Sequence, residues 1–196
     1  GAFSNKNVGV GKTVTITPSY SGADVSNYSI TNHADVTANI TAKSLTVSGV
    51  TASDKTYDGS VTATMDSSSA VYSGFVSGDD FAASYSGVFA NANVGTGKTV
   101  TITSSYSGAD VSNYSITNHA DVTANITVRS LTVSGITASD KTYDGSVTAT
   151  MNSSSAVYSG FVSGDDFAGS FSGVFANANV GSGKTVNITS SYAGAD

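Results

Sequence analysis

The sequence repeats itself with a strict period of 86 residues. The tripeptide Lys-Thr-Val begins at Lys12, Lys98 and Lys184, each 86 residues after the last, and Tyr57 and Tyr143 of a Lys-Thr-Tyr-Asp-Gly motif keep the same interval. So do Tyr28 and Tyr114, inside the shared string GADVSNYSITNHADVTANIT. Aligning 44–110 with 130–196 leaves seven differences over 67 positions: Val50/Ile136, Asp66/Asn152, Ala83/Gly169, Tyr85/Phe171, Thr96/Ser182, Thr101/Asn187 and Ser107/Ala193. None introduces a charge or a proline, and no insertion breaks the register. Solenoid coils repeat every 20–50 residues or so, so this period suits a small independently folded sandwich better. The expected organisation is the end of one module (1–43), a complete module (44–129) and the first part of a third (130–196), an excerpt from a longer array. The third part has no counterpart of 111–127, which predicts an unpaired strand edge.

Within a repeat the apolar residues alternate with a period of two, the signature of half-buried strands. Leu45 and Val47 are predicted to face inward, as are Val61, Ala63 and Met65. Phe81, Ala83, Tyr85 and Phe89 share one face with Gly87 between them, and Val100, Ile102 and Tyr106 alternate with threonines. Val122, Ala124 and Ile126 complete the set. Turn residues separate these runs, with Asp58-Gly59 read as a type I′ hairpin turn needing positive φ at both positions. Tyr57, Asp58 and Gly59, with Tyr143, Asp144 and Gly145 in the next copy, form the predicted structural motif. In it the tyrosine ring is buried and its hydroxyl meets a backbone partner. Composition agrees: all fourteen acidic residues are Asp, charged residues are only 11%, and Thr, Val and Tyr, which suit a pleated surface, abound. The expectation is an all-β fold of about seven strands per repeat, arranged as tandem immunoglobulin-like β-sandwich modules. A β-grasp-like or other compact β module is the alternative.

The joint from Asp121 to Ser134 contains no Gly and no Pro. Flexible linkers are Gly/Ser-rich, so the modules are expected to follow one another stiffly, each adding roughly 35–45 Å from strands rising about 3.3 Å per residue plus loops. The net charge of −6 and the lack of a basic patch argue against a nucleic-acid partner. No apolar run approaches the roughly 18 residues of a membrane helix, and the absence of cysteine excludes disulfides and thiolate chemistry.

The motifs K-T-Y-D-G (55–59, 141–145), S-G-D-D (77–80, 163–166) and N-V-G-x-G-K-T-V (93–100, 179–186) occur in fixed order. They are followed by G-A-D-V-S-N-Y (108–114) and A-N-I-T-x-x-S-L-T-V (124–133). This series resembles the YDG-type repeat, related to the MBG-type repeat, of very large bacterial surface proteins, many of which carry a filamentous-haemagglutinin-like secretion domain. The resemblance covers the whole chain. It implies an extracellular adhesin or biofilm-matrix protein in which such repeats commonly serve as spacers.

Chemistry is sparse. His33 and His119, each followed two residues later by Asp, lack the nucleophile elbow and buried orienting carboxylate of a triad, so no enzyme and no cofactor are expected. Structural calcium is the better candidate, with Asp79 and Asp80 converging on Asp54 or Asp58 as oxygen ligands, although turns attract Asp for conformational reasons too. Lys55, Lys98 and Asn113 recur once per repeat. They are read as solvated lysines at strand ends, or as members of a covalent Lys–Asn cross-link. The favoured function is a stalk projecting a distal binding region. Other readings are a glycan- or protein-binding module using Tyr72, Tyr85 and Tyr114 as a stacking platform, and a fibre subunit whose copies associate through an unpaired edge.

Overall fold

The computed structural model describes residues 1–194. Its regular structure is all-β, twenty short strands with two three-residue 3-10 turns, Val25–Asn27 and Val111–Asn113. The chain falls into two compact units. The first comprises Gly1–Ser53, Ala63–Val88 and Thr99–Thr123; the second comprises Asp54–Thr62, Phe89–Lys98 and the described residues from Ala124 onward. Ten strands lie between Lys43 and Thr127, more and shorter than the seven expected, and they form several small sheets.

In the first unit, Gly9–Thr15 lies between Ala2–Phe3 and Val36–Ile40, antiparallel to both, with Phe3 opposite Val14 and Val14 opposite Val36. Lys43–Ser48 also lies between two strands. It runs parallel to Tyr114–Thr117, with Ile116 opposite Leu45, and antiparallel to Val71–Ser73, with Val47 opposite Tyr72. Flanked on both sides, it carries the centre of this unit's core: Leu45 is 0% exposed, and Val47, Val50 and Val100 are buried with it.

In the second unit, Ala168–Phe175 pairs antiparallel with Val186–Ala193 along its whole length and with Thr148–Ala149 on its other side. Thr132–Ser134 pairs antiparallel with Val157–Ser159 alone, in a two-stranded sheet. Lys55–Thr56 runs parallel to the end of Val122–Thr127, with Ile126 opposite Lys55. Phe89, Ala124, Ile126 and Ala149 are buried apolar residues here.

Most of the expected faces hold. Along Phe81–Phe89 every second residue turns inward, and Gly87 and Phe89 are the fully buried members of that row. A Cβ on Gly87 would press on Met65 Sδ and lie 2.8 Å from Val100 Cγ1 and 3.4 Å from Ala63 Cβ, so the absent side chain is what lets three neighbours close over the strand. Val61 is an exception, 42% exposed where an inward position was expected. It follows the turn at Gly59 and precedes the strand Thr62–Ala63, so strand alternation does not reach it.

The Asp58-Gly59 turn also differs from expectation. Gly59 has φ +75°, but among the described residues no non-glycine has positive φ, Asp58 included, so the turn is not type I′. Nor does it close a hairpin. The strands on either side, Lys55–Thr56 and Thr62–Ala63, are the two outer strands of a five-stranded sheet in the order Lys55–Thr56, Val122–Thr127, Gly95–Ser107, Ala82–Phe89, Thr62–Ala63. The turn therefore bridges the sheet's opposite edges, which gives the sheet its nearly closed, barrel-like form.

Equivalent positions measure what the flanking strand contributes. Leu131 stands at the repeat position of Leu45, beside a strand paired on one side only, and is 36% exposed. Leu45→Ala should cost about 3 kcal/mol, as fully buried Leu-to-Ala changes do, whereas Leu131→Ala should cost about 1 kcal/mol. Denaturant unfolding of the two variants checks this, and equal losses would contradict it.

Candidate functional site

The Lys-Thr-Tyr-Asp-Gly motif folds as a turn clamped by its own lysine. Lys55 Nζ pairs with Asp58 Oδ1 at 2.6 Å and donates to the carbonyls of Ser60 (2.8 Å) and Thr62 (3.2 Å). Asp58 Oδ1 also accepts from Ser60 N at 2.9 Å, an Asx-type closure. The ammonium lies 5.8 Å from the centre of the Phe89 ring, within cation–π reach. These donors pull the Asp58 carboxyl below its usual range, the lysine contributing most. The next copy repeats the pattern: Lys141 reaches Asp144 at 2.7 Å, Ser146 O at 2.8 Å, Thr148 O at 3.1 Å and the Phe175 ring at 5.9 Å. Lys55 is thus a largely buried clamp rather than a solvated strand-end lysine. Alternation of apolar residues carries no trace of this, because the lysine's acceptors are backbone carbonyls.

The second recurrent lysine does the same for another loop. Lys98 Nζ donates to Asn91 Oδ1 at 2.5 Å, and Lys184 Nζ donates to Asn177 Oδ1 (2.6 Å), Asn177 O (2.7 Å) and Asn179 O (2.5 Å).

A polar cluster in the first unit joins residues 1–43 to the repeat that follows. Lys6 Nζ sits 2.6 Å from Asp79 Oδ1 and 3.0 Å from Asp110 Oδ1. Tyr114 Oη donates to Asp79 Oδ2 at 2.6 Å and accepts from Val76 N at 3.0 Å. Buried Asp110 takes Asp80 N on Oδ2 at 3.0 Å and Asn113 Nδ2 on Oδ1 at 3.1 Å. Asn113 in turn accepts from Val8 N at 2.9 Å and donates to Asn7 Oδ1 at 3.3 Å. Asp79 is held below the usual carboxylate range by Lys6 first and Tyr114 second. Asp110 is held below it by the Asp80 amide first and Lys6 second. The Tyr114 hydroxyl is pushed up, chiefly by burial and then by Asp79. Sequence reasoning missed Lys6, Asp110 and Asn7. The available signal was a charge difference between copies, since positions 92 and 178 carry Ala where Lys6 stands.

In the second unit the corresponding aspartate, Asp165, accepts from Tyr57 Oη at 2.8 Å. The tyrosine hydroxyl therefore meets a carboxylate 108 residues away rather than the backbone partner expected. Tyr57, Asp165, Leu131, Phe161 and Phe167 line a cleft of about 480 Å³. Tyr143, the next copy of Tyr57, is exposed.

The four aspartates proposed for calcium all have protein partners. Asp54 accepts from Asn125 N (2.7 Å) and Asn125 Nδ2 (2.9 Å), Asp58 and Asp79 face Lys55 and Lys6, and Asp80 accepts from Ala109 N at 2.8 Å. Among the described residues no three His, Asp or Glu side chains are grouped so as to hold a metal ion. His33 Nδ1 lies 2.6 Å from the carbonyl of Ala34, while Asp35, two residues on, accepts from Ile16 N at 3.0 Å. The histidine and aspartate thus serve separate local contacts. Tyr72, Tyr85 and Tyr114 pack inward as part of an aromatic cluster. Phe81 lies 5.5 Å from Tyr72, 5.6 Å from Tyr106 and 6.1 Å from Tyr114, and Tyr85 Oη donates to Tyr72 Oη at 3.2 Å. Tyr85 is therefore a half-buried, inward-facing residue that makes a hydrogen bond, which Phe171 in the next copy cannot make.

The sequence pattern of the YDG domain matches residues 41–124 and again 127–196. No curated protein and no solved structure matches the chain.

Lys55→Met, which keeps the stem and removes the ammonium, should cost about 2 kcal/mol by taking the ammonium away from two carbonyls and a carboxylate; thermal or denaturant unfolding reads it. The first unit should also respond to acid. Asp79 and Asp110 bind protons less readily folded than unfolded, so their contribution is fully present above the ordinary Asp value of about 3.9. It is lost as pH falls through their lower folded values. Lys6→Ala should therefore lower the melting temperature at neutral pH and reduce the loss on acidification. An unchanged pH profile would show that Lys6 does not set these carboxyls.

Proposed function

We propose a mechanical function for this chain, which belongs to the YDG domain family: its repeats serve as the spacer of an extracellular bacterial surface protein, an adhesin or matrix fibre, holding a distal region away from the cell. The observation that carries this reading is the joint in the first unit. Only Thr41 and Ala42 separate the strand Val36–Ile40 from Lys43–Ser48. Lys6, Asn7 and Val8 then bind Asp79, Asp110 and Asn113 of the following repeat. A two-residue connection reinforced by side-chain contacts restricts bending, where a Gly/Ser linker would allow it. The remaining features suit a spacer: a lysine clamp repeated in each copy, and aspartates engaged by protein donors.

The same proposal reads the repeats as immunoglobulin-like modules in tandem, on the strength of the 86-residue period and the predominance of short antiparallel strands. It assigns no catalytic step and no cofactor. The membrane attachment and export it requires belong to other parts of a surface protein. No helix among the described residues is long and apolar enough to cross a membrane.

Small-angle scattering on arrays of increasing repeat number tests the spacer. The maximum dimension should rise linearly, by roughly 35–45 Å per repeat. Growth no faster than that of a compact particle would refute it.

A further inference from the structure

We propose that residues 43–57 and 114–127 form a tension-bearing clasp, which makes the repeat resist being pulled along the array and give way in a single step. The clasp is a property of one complete repeat; its use in a surface protein rests on the spacer reading.

Two stretches of parallel pairing join the beginning of the repeat to its end. In the first unit, Lys43 lies opposite Tyr114 and Thr46 opposite Thr117. In the second, Lys55 lies opposite Ile126 and Thr56 opposite Thr127. Every pair is 71 residues apart, so both stretches keep one register. Asp54 keeps it as well. Its two carboxylate oxygens accept from Asn125 N at 2.7 Å and Asn125 Nδ2 at 2.9 Å, again 71 residues away. The stretches in between, 47–53 and 118–124, are equal in length, so the register is unbroken across them. Tyr57 N on Thr127 O at 2.9 Å and Thr127 Oγ1 on Lys55 O at 3.3 Å close the far end.

Direction turns this pairing into a clasp. Ala42 and Val128 hold the same repeat position, 86 residues apart, and both are exposed. Ala42 directly precedes the first segment and Val128 directly follows the second. Tension along an array enters and leaves the repeat at these two points. Because the segments are parallel, pulling Ala42 away from Val128 drags one segment lengthwise past the other. Every pair resists that same sliding, and the load is divided among them. Pulled apart from one end, the same pairs would meet the load one at a time.

Neither segment can swing clear first. Lys43–Ser48 is held on its other side by Val71–Ser73, and Val122–Thr127 is held by Gly95–Ser107. Sliding also drags Leu45, Tyr114 and Ile126, all buried, out of the core, which adds the loss of apolar burial to the loss of hydrogen bonds. Forced unfolding follows the height of the unfolding barrier, so a repeat of ordinary equilibrium stability is strong in this one direction.

Force spectroscopy on the full chain tests the clasp. The protein contains no cysteine, so an introduced pair sets the direction of pull. Ala42→Cys with Val128→Cys pulls lengthwise. Thr56→Cys with Val128→Cys moves one handle to the end of its segment and peels the two segments apart. All three positions are exposed, and thermal unfolding checks that both proteins keep the fold. The lengthwise rupture force should be several-fold the peeling force. It should come as one event releasing roughly 250–300 Å of chain, since each of the 86 residues extends by about 3.3–3.6 Å. Asp54→Ala, which removes both bonds to Asn125, should lower the lengthwise force. Equal forces in the two directions, stepwise release under lengthwise pull, or a lengthwise force untouched by Asp54→Ala would overturn the clasp. Scattering reads length and not strength, so a stiff array of weak repeats fails this test alone, and a flexible array of strong repeats fails the scattering test alone.

Discussion

The central repeat depends on one lysine and the turn it holds. A flat five-stranded sheet would keep its outer strands about 19 Å apart, four spacings of roughly 4.8 Å, farther than a lysine side chain extends. Lys55 stands in one outer strand, and its ammonium reaches the carbonyl of Thr62 in the other. The sheet must therefore curl until its edges nearly meet, and curling also removes the exposed edges that invite aggregation. Around the turn, Tyr57 N donates to Thr127 O at 2.9 Å and Phe89 N to Val61 O at 2.7 Å, so the backbone on both sides of the clamp is tied in. Lys141 makes the same clamp although Lys141–Thr142 forms no strand. The clamp is thus local to the motif, and pairing with a neighbour is added to it.

The aspartates of the S-G-D-D loop show how near-identical copies come to differ. Asp79 and Asp165 hold the same repeat position, and each takes a donor from the preceding repeat. In the first unit the donor is Lys6, and in the second it is Tyr57. The first contact gathers charge: one exposed ammonium serves two carboxylates, with Asn113 and the Asp80 amide sharing the load on Asp110. The second is a neutral donor on a carboxylate. Both tie a loop of one repeat to a loop of the next. The rings of Tyr72 and Tyr114 pack against Phe81, and Tyr85 reaches this cluster through its hydroxyl on Tyr72.

Much of this was legible in the residues. The inward positions Leu45, Val47, Ala63, Phe89, Val100, Ala124 and Ile126 all follow from period-two alternation, because a strand has only two faces and one of them is wet. Asp54, Asp58, Asp79 and Asp80 stood out by residue type, and residue type does not say which protein donors each one meets. Lys55 was misread for a related reason. Lysine is usually solvated, and its acceptors here, two carbonyls and a carboxylate, are set by backbone path.

The sequence by itself determined the period, the strand faces and the all-β character, since these rest on repetition and on the alternation of short apolar and polar residues. Only the tertiary structure decided that the Asp58-Gly59 turn spans opposite edges of a sheet, that Tyr57 meets Asp165, and that Lys6 meets Asp79 and Asp110. Those outcomes depend on which distant segments lie side by side. A pattern of neighbours along the chain does not contain that information, because pairing across 73 or 108 residues is set by how the sheets close.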